Sequence, residues 1–272
     1  MRSPLPLTLI VIARNEAKMI GRCLDSVPFA TDKVVVDSGS TDGTPDIAAE
    51  RGARVVRQDW LGFGPQRNFA TGLARNDWIL VLDADEQLSP DLAQELEMRL
   101  PSIMESSLAG GIFRRSTRFM GAPMRWYRPM TRERIARLYH RERARWTDAR
   151  VHESLRFNGP VASFQHRLLH DHNPTLVHRQ IKMLRYTELR AQDWRDRGRK
   201  VQMWLCPFIF LTTFVKDYFF RFAFLDGWRG YIVAQIAASY AVYKRLRYYE
   251  ISVNPASLAL AGDLLKDDGL KS

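Results

Sequence analysis

Cysteine is nearly missing from these 272 residues. The two present, Cys23 and Cys206, are far apart and lack metal-ligand spacing. That argues against a disulfide scaffold and a cysteine-based zinc site, and it fits a reducing compartment. No G-x-G-x-x-G or Walker pattern occurs, so Gly62 and Gly64 are read as loop freedom rather than as a phosphate cradle. Internal repeats and low-complexity linkers are also missing. Residues 7–13 are apolar but have neither the length nor the small-residue cleavage site of a signal peptide, so none is expected. The one long uncharged run, residues 201–215, falls short of the ~20 residues that span a bilayer.

Charge is missing unevenly. Residues 114–145 contain eleven Arg, no Lys and only two acids, Glu133 and Glu142, within a chain of net charge +11. Such a block points to a polyanion: nucleic acid, an anionic membrane or a phosphorylated substrate. Arg in place of Lys favours bidentate contacts with phosphate or carboxylate. A solvated basic face is the plainer alternative. Nucleic acid is not the expected partner, because the acids described next would repel it.

What is present is a set of acidic strand ends. Residues 34–36 run into Asp37-Ser-Gly-Ser-Thr-Asp-Gly-Thr44, and residues 78–82 run into Asp83-Ala-Asp85-Glu86. A short apolar run that stops at Asp is how a buried parallel strand delivers a carboxylate to the carboxyl edge of a sheet, where ligands bind in open α/β folds. The first strand, 7–13, ends in Arg14-Asn15-Glu16. Helices are expected over 16–27, from Thr44 with its hydroxyl as cap, over 65–75, and over 92–100 after the Ser89 cap. A third strand is expected at 54–57. The alternation predicts an α/β fold with a mostly parallel sheet. Residues 111–117, 134–139 and 161–169 read as further strands, and 175–195 as a long amphipathic helix.

The last third is aromatic. Trp204, Phe208, Phe210 and Phe214 lie in the uncharged run, which Pro207 is expected to interrupt. Phe219, Phe220 and Phe224 follow, then a helix over 231–243 and the basic Lys244, Arg245 and Arg247. Aromatic and basic residues beside short apolar helices mark an element that lies in a membrane interface. Packing on the globular part or across a homo-oligomer is the alternative.

Four blocks in order, Ala13-Arg-Asn-Glu16, Asp37–Thr44, Gln66-Arg67-Asn68 and Leu82-Asp-Ala-Asp-Glu86, resemble the family 2 glycosyltransferases of GT-A fold. Leu61-Gly-Phe-Gly64, Arg137-Leu138 and Val151-His152-Glu153 resemble, within it, the lipopolysaccharide inner-core glucosyltransferase type. The resemblance implies a GT-A catalytic domain over 1–172, with 1–100 binding a nucleotide sugar and 101–172 the acceptor, followed by a helical region over 173–272. It implies a UDP-sugar donor, most simply UDP-glucose. It also implies a glycolipid acceptor such as lipopolysaccharide heptose, and work at the cytoplasmic face of the inner membrane as a peripheral protein.

Donor contacts are expected from Ala13, Arg14, Asn15, Glu16, Asp37, Ser38, Gly39, Arg67, Asp83, Ala84 and Asp85. Asp37 can accept the uracil N3–H or can cap its own turn. Arg67 can meet the diphosphate or base or lie on the surface. Asp85 is the expected direct ligand of Mg²⁺ or Mn²⁺, with Asp83 on the ribose and metal, both cations suiting oxygen ligands. His170 fits a late histidine brought back to the metal, with capping before Asn173-Pro174 as the alternative. Glu153 is the expected general base, with Asp148 as competitor. The acceptor is expected to meet Arg114, Arg125, Trp126, Tyr127, Arg137 and His152.

Overall fold

The strand β1 (Leu5–Ala13) is apolar at nearly every position because both of its faces are covered. Leu7, Leu9, Val11 and Ala13 enter one core cluster, while Ile10 and Ile12 enter another on the opposite side of the sheet. In the computed structural model, which describes residues 4–148, 154–170 and 175–258, the chain continues through α1 (Ile20–Asp25), β2 (Ala30–Asp37), α2 (Thr44–Glu50), β3 (Arg54–Arg57), α3 (Phe63–Leu73), β4 (Trp78–Asp83), β5 (Glu86–Leu88) and α4 (Pro90–Met104). There follow β6 (Gly110–Phe119), β7 (Ala122–Pro123), α5 (Arg128–Thr131), β8 (Arg134–His140), β9 (Ala144–Trp146), β10 (Leu155–Phe157) and β11 (Val161–His170). The chain closes with α6 (Leu176–Asp196), α7 (Cys206–Val215) and α8 (Gly227–Val253).

Two units result. One takes in the chain up to residue 116 together with 133–171; the other takes in 117–132 and the chain from 172 onward.

The first unit carries the sheet, ordered β3-β2-β1-β4-β8-β6-β11-β5. The first four strands are parallel, and β8 then runs antiparallel to β4. In this register Ala13 lies opposite Asp37 and Ile12 opposite Asp83, so the three strand tips end level. The helices α1, α2 and α4 cover one face; α3 and the small β9–β10 ribbon cover the other. The Ser89 cap forms as expected, its hydroxyl accepting from the Leu92 N–H at 3.1 Å. Thr44 is not the cap it was expected to be: Gly43 holds that position, and the Thr44 hydroxyl bonds elsewhere. The helix expected over 16–27 shortens to α1, because residues 15–17 are drawn into hydrogen bonds with the turn after β2.

The second unit has its own core, in which Phe119, Met124, Tyr127 and Met130 meet Ala223, Val233 and Ala234. The Asp226 carboxylate accepts from the backbone N–H groups of Arg125, Trp126 and Tyr127 at 2.8, 3.1 and 2.8 Å, tying residues 125–127 to the start of α8. Pro207 does not interrupt the apolar run. It lies in the first turn of α7, where its missing N–H has no helical partner to lose. Helical structure runs on from Met203 to Phe220, long and apolar enough by length and composition to cross a membrane.

Candidate active site

The carboxyl edge of the sheet gathers most of the expected donor residues. Asn15 adopts a left-handed conformation (φ 56°), which its short polar side chain tolerates, and the chain folds back over the turn that follows β2. The Asn15 N–H donates to Ser40 Oγ at 2.9 Å, while Asn15 Oδ1 accepts from the Thr41 N–H at 2.7 Å. The Glu16 N–H donates to Thr44 Oγ1 at 2.7 Å and the Ala17 N–H to Asp42 at 3.1 Å. Two loops distant in sequence are thereby joined into one rim. Asp37 is buried and caps its turn, accepting from the N–H groups of Gly39 and Ser40 at 3.0 Å and from the Ser40 hydroxyl. Ser38 is held by the buried Gln66 side chain at 3.1 Å. Ala13 and Ala84 are buried beneath the rim, and Arg14 is half-buried beside it.

Asp83 is the hub of an ion-pair network. Its Oδ1 accepts from Arg67 at 2.7 Å and its Oδ2 from Arg137, while its N–H donates to Glu86 at 3.1 Å. Arg137 also donates to Glu86 at 2.8 Å. Burial alone would raise the Asp83 carboxyl, but Arg137 and then Arg67 outweigh it and hold it well below the usual carboxylate range. Two expectations change here. Arg67 is not a surface residue: it is 3% exposed, paired with Asp83 and stacked 4.5 Å from the Trp146 ring. Arg137, expected to meet the acceptor, is 5% exposed and commits its guanidinium to Asp83 and Glu86.

Glu86, buried and facing both Arg137 and Arg115, was not among the expected site residues. The signal was present in an acid directly after Asp-x-Asp, at the first residue of the short strand β5. Nothing local identifies its partners, which come from residues 115 and 137.

Asp85 projects from the same tip. The strand β11 pairs antiparallel with β5, placing His170 opposite Glu86, and His170 Nε2 lies 3.1 Å from Asp85 Oδ2. Among the described residues no group of three or more acids, His or Cys is arranged around a cation. The Asp85–His170 pair nevertheless fits a divalent cation. It offers one carboxylate oxygen and one imidazole nitrogen, and Mg²⁺ sites commonly use few protein ligands with phosphate and water completing the shell. His152, Glu153 and the second histidine of His170-Asp171-His172 lie outside the described residues; Asp148, the competing base, is exposed.

Gly62 and Gly64 do more than loosen a loop. Gly62 has φ +101°, and a Cβ on Gly64 would lie 1.9 Å from the Thr147 carbonyl oxygen. Asn68 pins the same segment by hydrogen-bonding both backbone groups of Trp146, at 3.0 and 3.2 Å. The start of α3 is therefore packed directly on the strand that leads toward residues 151–153.

Of the other expected acceptor residues, Arg114 is exposed on β6. Arg125, Trp126 and Tyr127 belong to the second unit. Arg125 and Trp126 are exposed there, but Tyr127 is a core residue whose phenol is pushed up to about 12 by burial and then by Asp217.

Glu16 carries the cost of the acidic rim. Burial, then the negative fields of Asp85, Asp42 and Asp83, raise it from the ordinary 4.5 to about 7. Such a carboxyl holds its proton more tightly folded than unfolded. Stability is therefore complete below the unfolded value and is lost as pH rises through the folded one. Between about pH 5 and pH 8 the wild-type Tm is expected to fall several degrees further than that of Glu16→Gln. Parallel curves for the two proteins would rule this reading out.

The first unit is thus an open α/β sheet of the GT-A type with an acidic, ion-paired carboxyl edge. Residues 8–158 match the family model described as glycosyl transferase family 2. The chain belongs to that family. It is 31% identical over 251 residues to a Rickettsia felis protein described as an uncharacterized glycosyltransferase, covering 88% of each chain. It is 29% identical to the lipopolysaccharide core biosynthesis glycosyltransferase LpsC of Rhizobium meliloti, covering 90% of this chain and 93% of that one. Among solved structures, TarS residues 1–349 from S. aureus superposes with TM-score 0.46 at 15% identity, over 89% of this chain and 91% of the other.

Proposed function

We propose that this enzyme transfers a hexose, glucose in the simplest case, from a UDP-sugar to an anionic, membrane-held acceptor of the lipopolysaccharide inner-core kind, with inversion at the sugar. The observation that carries the reading is the meeting of the Asp37 turn, Asp83, Asp85 and His170 at one sheet edge, from strands up to 133 residues apart. The relationship to LpsC supports the acceptor class.

Each group has a task in this reading. Asp37 and the 38–44 turn border the base, and Asp83, kept ionised and oriented by Arg67 and Arg137, faces the ribose. Asp85 and His170 would hold Mg²⁺ or Mn²⁺, which when bound supplies a Lewis acid for the leaving diphosphate. Glu153 takes the proton of the attacking acceptor hydroxyl, on the side away from the leaving group.

The second unit supplies the membrane contact. Trp204, Phe208, Phe220 and Trp228 are 68%, 60%, 71% and 80% exposed. Lys216, Arg221 and Arg229 are interleaved with them. Aromatics at a headgroup boundary with basic residues around them suit an anionic lipid surface, each basic residue adding about 1 kcal/mol. The enzyme would then work as a peripheral protein on the cytoplasmic face of the inner membrane.

Calorimetric titration with nucleotide-diphosphate sugars in the presence of Mn²⁺ tests the donor. UDP-sugars are expected to bind and ADP- or GDP-sugars to fail; equal binding of all three bases overturns it. In parallel, anionic liposomes are expected to retain the protein in a salt-sensitive manner. A clean oligomer that ignores liposomes would assign the aromatic face to self-association.

A further inference from the structure

Two arginines face one another across the first unit's sheet. Arg114 on β6 is in register with Arg134 on β8, and both side chains are exposed. The next pair along the ladder is Arg115 and Glu133. There the Arg115 N–H donates to the Glu133 carbonyl at 3.0 Å, and the two side chains form a bidentate ion pair at 2.9 and 2.6 Å. Hydrogen-bonded and non-bonded pairs alternate along an antiparallel ladder, so Arg114 and Arg134 form the non-bonded kind, in which side chains approach most closely. Like charges directly opposite one another destabilise a sheet. Neither guanidinium has a hydrogen-bond or ion-pair partner among the described residues. Acids are available nearby, yet Glu133 and Glu86 are both committed to Arg115.

Position gives the pair a use. Since β8 runs antiparallel to β4, with Leu138 opposite Leu80, its first residues lie past the tip that carries Asp83. Arg134 is three residues before Arg137, the side chain that touches Asp83. At roughly 3.3 Å per residue, the pair lies within about 10 Å along the strand from the Arg137 backbone, where the β6–β8 register shifts by one residue. It shares the acidic edge where the donor is proposed to bind but is displaced from it, where a molecule lying beside the donor would present its own charge. Two guanidinium forks carried by directly opposed residues can both reach the oxygens of one phosphate, and such an anion would turn their repulsion into paired, charge-assisted hydrogen bonds.

We propose that Arg114 and Arg134 form a phosphate subsite for the acceptor. The acceptor role rests on the glycosyltransferase reading above; the phosphate follows from the register and exposure of the two arginines.

The test titrates inorganic phosphate into protein saturated with UDP and Mg²⁺, using wild type, Arg114→Gln, Arg134→Gln, the double variant and Arg134→Lys. Each Gln change is expected to weaken phosphate binding about tenfold or more, the worth of one charge-assisted contact. The double variant is expected to lose it, and Arg134→Lys to fall between. UDP affinity is expected to hold throughout. The Gln variants are also expected to melt at higher temperature than wild type without phosphate, because a like-charge pair has been relieved; a merely structural arginine would give the opposite sign. Undiminished phosphate binding in the double variant, or a lowered Tm with it, overturns the proposal. Phosphate that competes with UDP assigns the arginines to the donor diphosphate and overturns the acceptor role. If wild type binds no UDP, the functional reading fails by itself, and titration without nucleotide still decides whether the pair holds phosphate.

Discussion

Asp85→Ala is expected to abolish divalent-cation-dependent UDP binding and to lower turnover by about 10³-fold, since Lewis-acid stabilisation of the leaving diphosphate is worth several kcal/mol and each 1.4 kcal/mol is a factor of ten. The fold is expected to survive. Asp85 lies at a strand tip and is half-buried, and its removal takes one negative charge away from Glu16 and Asp83. The neighbouring Asp83→Ala should behave differently. It leaves Arg67 and Arg137 buried without their shared carboxylate, and breaking a buried pair from one side costs about 3–5 kcal/mol. Equilibrium unfolding and metal titration on the two variants separate the roles. Wild-type transfer that continues undiminished in excess chelator would remove the metal from the reaction altogether.

Glu153→Gln should leave donor binding intact and lower kcat by roughly 10²–10⁴-fold, the usual worth of a general base, because the amide keeps the shape of the carboxyl but cannot take a proton. Asp148 is the control. It is exposed on the segment after β9, and its Asn variant should retain most of its activity. Loss in Asp148→Asn with full turnover in Glu153→Gln would transfer the role to Asp148. Gly64 adds a structural reason why this segment matters. The start of α3 packs against Thr147 so closely that no side chain fits between them, and Asn68 clamps Trp146 beside it. The segment that leads toward Glu153 is thus anchored to the helix carrying Arg67, which in turn holds Asp83.

The acidic rim and the basic network beneath it oppose one another by design of the fold. Asp83 is kept charged by two buried arginines, whereas Glu16, without such partners, is driven toward its neutral form by the same cluster of acids. One edge therefore offers a permanent anion and a titrating one side by side.

The amino-acid sequence by itself determined the parallel half of the sheet. Strands 1 to 4 alternate with helices at local spacing, and the apolar runs of β2 and β4 end at Asp37 and Asp83, where a carboxylate must leave the core. Parallel crossovers of one hand then leave little freedom in how those tips align. The Ser89 cap and the strand at Arg54–Arg57 were legible for the same reason, since both are set by residues within a few positions. Only the tertiary structure decided which partners meet those tips. Arg137 reads in sequence as an acceptor contact within an arginine-rich block, but antiparallel pairing of β8 with β4 buries it against Asp83. Tyr127 reads as an acceptor contact, but the core around Ala223 and Val233 encloses it. His170 reaches Asp85, and Arg114 faces Arg134, through strand registers that no local signal encodes. Register is chosen by the burial of whole strand faces, and a shift of one residue would send each of these side chains to the other side of the sheet.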